Sequence, residues 1–157
     1  MNVFIPILSL SVILLILPFN SSAQQDPPVK EPALEFAVHG IPVYGKPIDN
    51  QTRCTHWHSS LDILAIKFKC CEKYFPCFTC HEETTDHQAL VWPVHEFDQK
   101  AILCGVCGTE LAIKDYMGCN NVCPKCTSPF NPGCSKHYYL YFETQSDSQK
   151  ENKSGGN

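Results

Sequence analysis

The chain has 157 residues, room for one ordinary domain with extensions at its ends. Its formal net charge of −4 offers no basic field, which argues against nucleic-acid binding through phosphate neutralisation. Eleven Cys and seven His are an unusual endowment, and every Cys falls between Cys54 and Cys134.

Residues 1–23 begin with an apolar run from Val3 to Phe19, followed by the small residues Ser21, Ser22 and Ala23. This reads as a signal-like leader, although no Lys or Arg precedes Lys30. An uncleaved membrane anchor and a start assigned too far upstream are the alternatives. Residues 24–40 open with the Pro-rich stretch Gln24 to Pro32 and are assigned to a linker. The domain itself is placed at 41–142. Within it, Leu64, Ile66 and Phe68 alternate with Ala65, Lys67 and Lys69, which predicts a half-buried strand. A short helix is predicted over 82–91, and turns at Gly105, Gly108, Gly118, Pro124, Pro129, Pro132 and Gly133. The aromatic run His137 to Phe142 predicts a second strand, and its rings would form a partner surface or cover the last metal site. Residues 143–157 are polar and read as a disordered tail. Asn50 and Asn152 head glycosylation sequons, relevant only on a secretory route. The fold class expected is a small, loop-rich, metal-stabilised domain with short strands and zinc knuckles.

An odd number of cysteines leaves one thiol over in any closed disulfide framework, and the neighbours Cys70 and Cys71 would bridge each other only with strain. Histidines interleaved with the cysteines at short intervals favour metal instead. Cys104-x-x-Cys107 and Cys123-x-x-Cys126 are separated by fifteen residues, a four-thiolate zinc spacing. Upstream lie eight further donors, Cys54, His56, Cys70, Cys71, Cys77, Cys80, His81 and His87, enough for two more tetrahedral sites and three Zn2+ ions in all. Spacing leaves the division of the eight open, since adjacent Cys80 and His81 can serve different ions. One arrangement sets Cys54, His56, Cys77 and Cys80 on one ion and Cys70, Cys71, His81 and His87 on the other, in a cross-brace. Four protein ligands close a site, so the metal is expected to build the fold and no catalytic residue is assigned. Cys119, Cys134, His39, His58, His95 and His137 are given no site. A thioredoxin-like role for Cys123-Pro124-Lys125-Cys126 would need a βαβ setting that the sequence lacks.

The strings CTHWH, KFKCCEKYFPCFTCHEETTDH, ILCGVCGTEL and CPKCTSPFNPGCSKHYYLYF together resemble the CHY-type zinc finger family, and within it the helper-of-Tim branch of the mitochondrial intermembrane space. The likeness runs from about Tyr44 to Phe142, and all twelve ligand positions are matched. It implies a non-enzymatic factor that handles zinc for, or assists the assembly of, small Tim chaperones served by a disulfide-relay oxidoreductase. Larger relatives add a RING module and ligate ubiquitin; no second set of such ligands is seen, so ligase activity is not expected. The apolar leader departs from the intermembrane-space pattern. It carries the alternative of a zinc-stabilised interaction module in the secretory pathway or at a membrane, with membrane contact only through that leader. A thiol-disulfide oxidoreductase using Cys119, Cys134 or the Cys123–Cys126 pair is the remaining alternative.

Overall fold

A computed structural model describes residues 34–144. The leader and most of the C-terminal tail lie outside them, and among the described residues no helix is long and apolar enough to cross a membrane. The elements are short: β1 Leu34–Val38, β2 Ile41–Tyr44, β3 Leu64–Lys67, β4 Tyr74–Phe75, α1 Phe78–Thr84, β5 Lys100–Cys104, β6 Glu110–Ala112 and α2 Ile113–Met117. The six strands form one sheet in the order β1-β2-β4-β3-β5-β6. Only the β2–β4 pairing is parallel.

β1 and β2 are joined by His39 and Gly40, both at positive φ (51° and 80°), the backbone that a two-residue hairpin turn requires. This hairpin corrects the linker assignment of 24–40. Glu35 and Val38 sit beyond the Pro-rich stretch, and the sheet begins at Leu34. β3 is the strand expected from the alternation of Leu64 and Ile66, and it pairs with β5 in register Leu64–Cys104, Ala65–Leu103 and Ile66–Ile102.

Period-2 alternation divides the sheet into two faces. Leu64, Ile66, Ile102 and Cys104 join Trp92, Leu111, Ile113, Tyr116, Phe130 and Phe142 in the larger core cluster. Ala65 and Leu103 point the other way, onto Val38, Val43 and Tyr74. A third cluster gathers Phe68 and Phe75 around Cys54, Cys77 and Cys80.

Helix α1 starts and stops earlier than the predicted 82–91. Cys77 is its N-cap, with its sulfur accepting from the Cys80 N–H at 3.4 Å. At the other end the Thr84 and Thr85 hydroxyls donate back to the carbonyls of Cys80 and His81, at 2.6 and 2.8 Å, and Thr85 is already extended.

The aromatic run near the C-terminus is not a strand. Pro132–Leu140 is a 3-10 segment, set by the Asn131 side chain accepting from the Gly133 N–H at 2.8 Å and by proline in its first turn. The chain then folds back on Trp92. Trp92 N–H donates to the Tyr141 carbonyl at 2.8 Å, Glu143 N–H donates to the Trp92 carbonyl at 2.9 Å, and the Glu143 carboxylate accepts from Val94 N–H at 2.8 Å. Glu143 therefore belongs to the folded unit, one residue into the stretch assigned to the tail. Within the run, Phe142 is fully buried whereas Tyr139 is 58% exposed. Phe142→Ala is expected to cost about 3–5 kcal/mol in denaturant unfolding of the metal-loaded protein, against about 0.5 kcal/mol or less for Tyr139→Ala.

Candidate metal centre

The twelve predicted donors come together as three groups of four: Cys54, His56, Cys77 and Cys80; Cys70, Cys71, His81 and His87; and Cys104, Cys107, Cys123 and Cys126. Within each group the ligand atoms all lie within 4.8 Å of one another. The first two groups are interleaved along the chain, which is the cross-braced division that spacing alone left open.

The geometry fits tetrahedral zinc. A zinc–sulfur bond of about 2.3 Å sets sulfur–sulfur edges of roughly 3.8 Å, and the shorter zinc–nitrogen bond sets sulfur–nitrogen edges of roughly 3.5 Å. Cys54 Sγ lies 3.7 Å from Cys77 Sγ, and His56 Nδ1 lies 3.6 and 3.4 Å from the sulfurs of Cys77 and Cys80. In the second group Cys70 Sγ is 4.0 Å from Cys71 Sγ and 3.3 Å from His81 Nε2. In the third, Cys104 Sγ to Cys126 Sγ is 3.8 Å and Cys107 Sγ to Cys123 Sγ is 3.9 Å. All eleven cysteines are free of disulfides. A separate observation points the same way: His87 Nε2 is a buried ring nitrogen with no hydrogen-bond partner. It faces the other donors of its group, where a cation would satisfy it.

Each group is built locally. Helix α1 presents Cys80 to the first group and His81 to the second, while Cys70 and Cys71 occupy the turn between β3 and β4. That turn is held by Phe68 N–H donating to the Lys73 carbonyl and Glu72 N–H donating to the Phe68 carbonyl, at 3.0 and 2.8 Å. The third group is made of two matching knuckles. Cys104 N–H donates to the Thr109 carbonyl and Gly108 N–H to the Cys104 carbonyl, at 2.9 and 2.8 Å. Cys123 N–H and Thr127 N–H repeat the pattern with the carbonyls of Ser128 and Cys123, both at 2.9 Å. The residue after the second cysteine of each pair has positive φ, Gly108 at 71° and Thr127 at 60°. The hydroxyls of Thr109 and Ser128 lie 3.2 and 3.3 Å from Cys107 Sγ and Cys126 Sγ, placed to donate to thiolates.

A further ring of side chains fixes the imidazoles. His56 Nε2 meets Glu83 Oε2 at 3.1 Å, and Lys46 Nζ donates to the same oxygen at 2.6 Å. His81 turns Nδ1 toward the Thr85 hydroxyl at 3.4 Å, its ring stacked 4.2 Å from that of Phe68. His87 Nδ1 lies 3.5 Å from Asp86 Oδ1. Such contacts leave the opposite nitrogen of each ring for the metal and orient it. Spacing did not reveal Lys46, Glu83, Thr85 or Asp86 as partners. Thr109 and Ser128 did carry a signal, a hydroxyl two residues beyond each late Cys-x-x-Cys pair.

Electrostatics make these pockets suited to a cation. Burial pushes the Cys71 thiol up to about 11 and Cys104 well above the ordinary thiol range, and burial draws His81 down to about 4. The imidazole is thus neutral and free to ligate, whereas buried thiols ionise together only around a positive charge. The Ser128 hydroxyl holds Cys126 down at about 6. Neither Cys119 nor Cys134 enters a group, and burial raises the Cys134 thiol, the opposite of an activated nucleophile. Cys123 and Cys126 sit in a turn, each facing a cysteine of the other pair.

Complete chelation of zinc-loaded protein is expected to abolish the cooperative unfolding transition followed by circular dichroism, because structural sites contribute on the order of 10 kcal/mol each. At the knuckles, Thr127→Gly is expected to stabilise the loaded protein by up to about 1 kcal/mol by relieving a β-branched residue at positive φ. Gly108→Thr is expected to cost more than about 2 kcal/mol in the same denaturant titration, since a Cβ at Gly108 would stand 2.6 Å from His39 Cβ.

A CHY zinc finger family model matches residues 54–138. Helper of Tim protein 13 of Saccharomyces cerevisiae is 46% identical over 109 residues, covering 64% of this chain and 90% of that protein. Helper of Tim protein 13 of Kluyveromyces lactis is 40% identical over 110 residues, covering 70% and 94%. An uncharacterized protein of Schizosaccharomyces pombe is 42% identical over 101 residues, covering 64% and 88%. With the matched span taking in all twelve donors that the fold gathers, the chain belongs to the CHY zinc finger family.

Proposed function

We propose that this chain is a non-enzymatic zinc protein of mitochondria that carries three zinc ions and handles zinc for Tim chaperones of the intermembrane space during their oxidative assembly. The observation that carries the reading is the pairing of three closed four-donor groups with 46% identity across 90% of a protein named Helper of Tim. Closed sites leave no position for water or substrate, which favours binding over hydrolysis. Thiolate-rich sites hold zinc tightly, and a partner relieved of zinc has its cysteines free for oxidation by a disulfide-relay oxidoreductase.

The test is competition. Protein depleted of zinc only as far as its far-UV circular dichroism stays unchanged, mixed with an equimolar zinc-loaded small Tim chaperone, is expected to acquire zinc and to speed formation of the partner's disulfides. Retention of all zinc by the partner at stoichiometric amounts would reject the role.

A further inference from the structure

The three groups are not equally enclosed, and their differences follow their positions in the fold. Cys54, Cys77 and Cys80 of the first group are buried, with the Cys54 sulfur also accepting from the Trp57 N–H at 3.3 Å. Cys104 and Cys123 of the third group are buried in the larger core, and each remaining sulfur of that group has a hydroxyl beside it. In the second group only His81 is buried; Cys70, Cys71 and His87 are all partly exposed.

His87 differs from its companions in support as well. Cys70 and Cys71 are fixed by the β3–β4 turn, and His81 is wedged between Phe68 and Phe75, with ring centroids 4.2 and 5.0 Å away. These three keep their places through backbone hydrogen bonds and ring packing. His87 lies beyond the end of α1, in a stretch without regular structure, on the wall of an open cleft formed with Glu82, Thr85, Asp86 and Gln88. Its side chain is 34% exposed even though its Nε2 is turned inward and buried.

We propose that Cys70, Cys71, His81 and His87 form the exchangeable site of the molecule, opened by withdrawal of His87 into the cleft, while the other two groups keep their ions and hold the fold. The proposal deepens the zinc-handling reading and rests on it for its biological use, but not for its chemistry. Detachment of one imidazole leaves three scaffolded donors and one open position facing solvent, which is the requirement for passing an ion to another thiolate protein without unfolding.

The three groups have different donor sets, with three, two and four sulfurs, so cadmium-113 NMR of the full chain loaded with that ion resolves them. On addition of EDTA in steps, the resonance of the two-sulfur site is expected to disappear first, with far-UV circular dichroism unchanged until the other two decline. His87→Ala should lack that resonance from the outset and retain the others. His87→Cys should move it toward the three-sulfur position and slow its loss by about ten-fold. Simultaneous loss of all three resonances, earlier loss of the three- or four-sulfur signal, or an unchanged order and rate in His87→Cys would overturn the proposal. Ordered loss together with failure of the competition above would reject the Tim role and leave the exchangeable site standing.

Discussion

Helix α1 is only seven residues long, yet two neighbouring positions on it serve two different metal groups. Successive residues on a helix diverge by roughly 100°, so Cys80 turns toward Cys54, His56 and Cys77, and His81 toward Cys70, Cys71 and His87. Everything in the first half of the domain is arranged around that divergence. The loop before β3 must bring Cys54 and His56 to one flank, and the β3–β4 turn must bring Cys70 and Cys71 to the other. Close approach of the chain is demanded at Gly45, where a Cβ would stand 2.7 Å from that of Cys80, and its φ of 100° suits glycine.

Metal and hydrocarbon divide the work by position. The face of the sheet that carries Leu64, Ile66 and Ile102 closes over Trp92 and Phe142, and the third metal group is sewn into this same cluster through Cys104 and Cys123. The first group is enclosed by Phe68 and Phe75. Burial of the donors raises the cost of ionising them, which makes each pocket dependent on its cation, and the surrounding rings keep out the water that would compete for it.

Much of this was legible in the amino-acid order, and the reasons are local. The twelve donors stand at spacings that a turn or one helical step can satisfy, and β3 shows its alternation openly. What was not legible depended on distant partners. Glu35 follows a Pro-rich stretch and gives no sign that β1 will find β2. β6 has three residues, too few for a periodic pattern. The aromatic run from His137 looked like a strand because aromatic residues favour strands, but Asn131, Pro132 and Gly133 impose a turn, and the pairing of Trp92 with Tyr141 and Glu143 captures the end of the run. Glu83 and Asp86 gave no indication of their imidazole partners, since exposed acids ordinarily face water.

The interleaving of donors also imposes a timetable on a chain that is synthesised from its N-terminus. Cys54 and His56 must wait for Cys80, and Cys70 and Cys71 must wait for His87, so the first group is complete when its last donor emerges and the second follows within one further turn and loop. The third group closes on its own between Cys104 and Cys126, a short loop with a modest entropic cost. Only when Phe142 arrives and seats beside Trp92 is the larger cluster sealed. The nascent chain can thus hold its first ion before the donors of the third group are joined, and the closing of the larger cluster is a hydrophobic event.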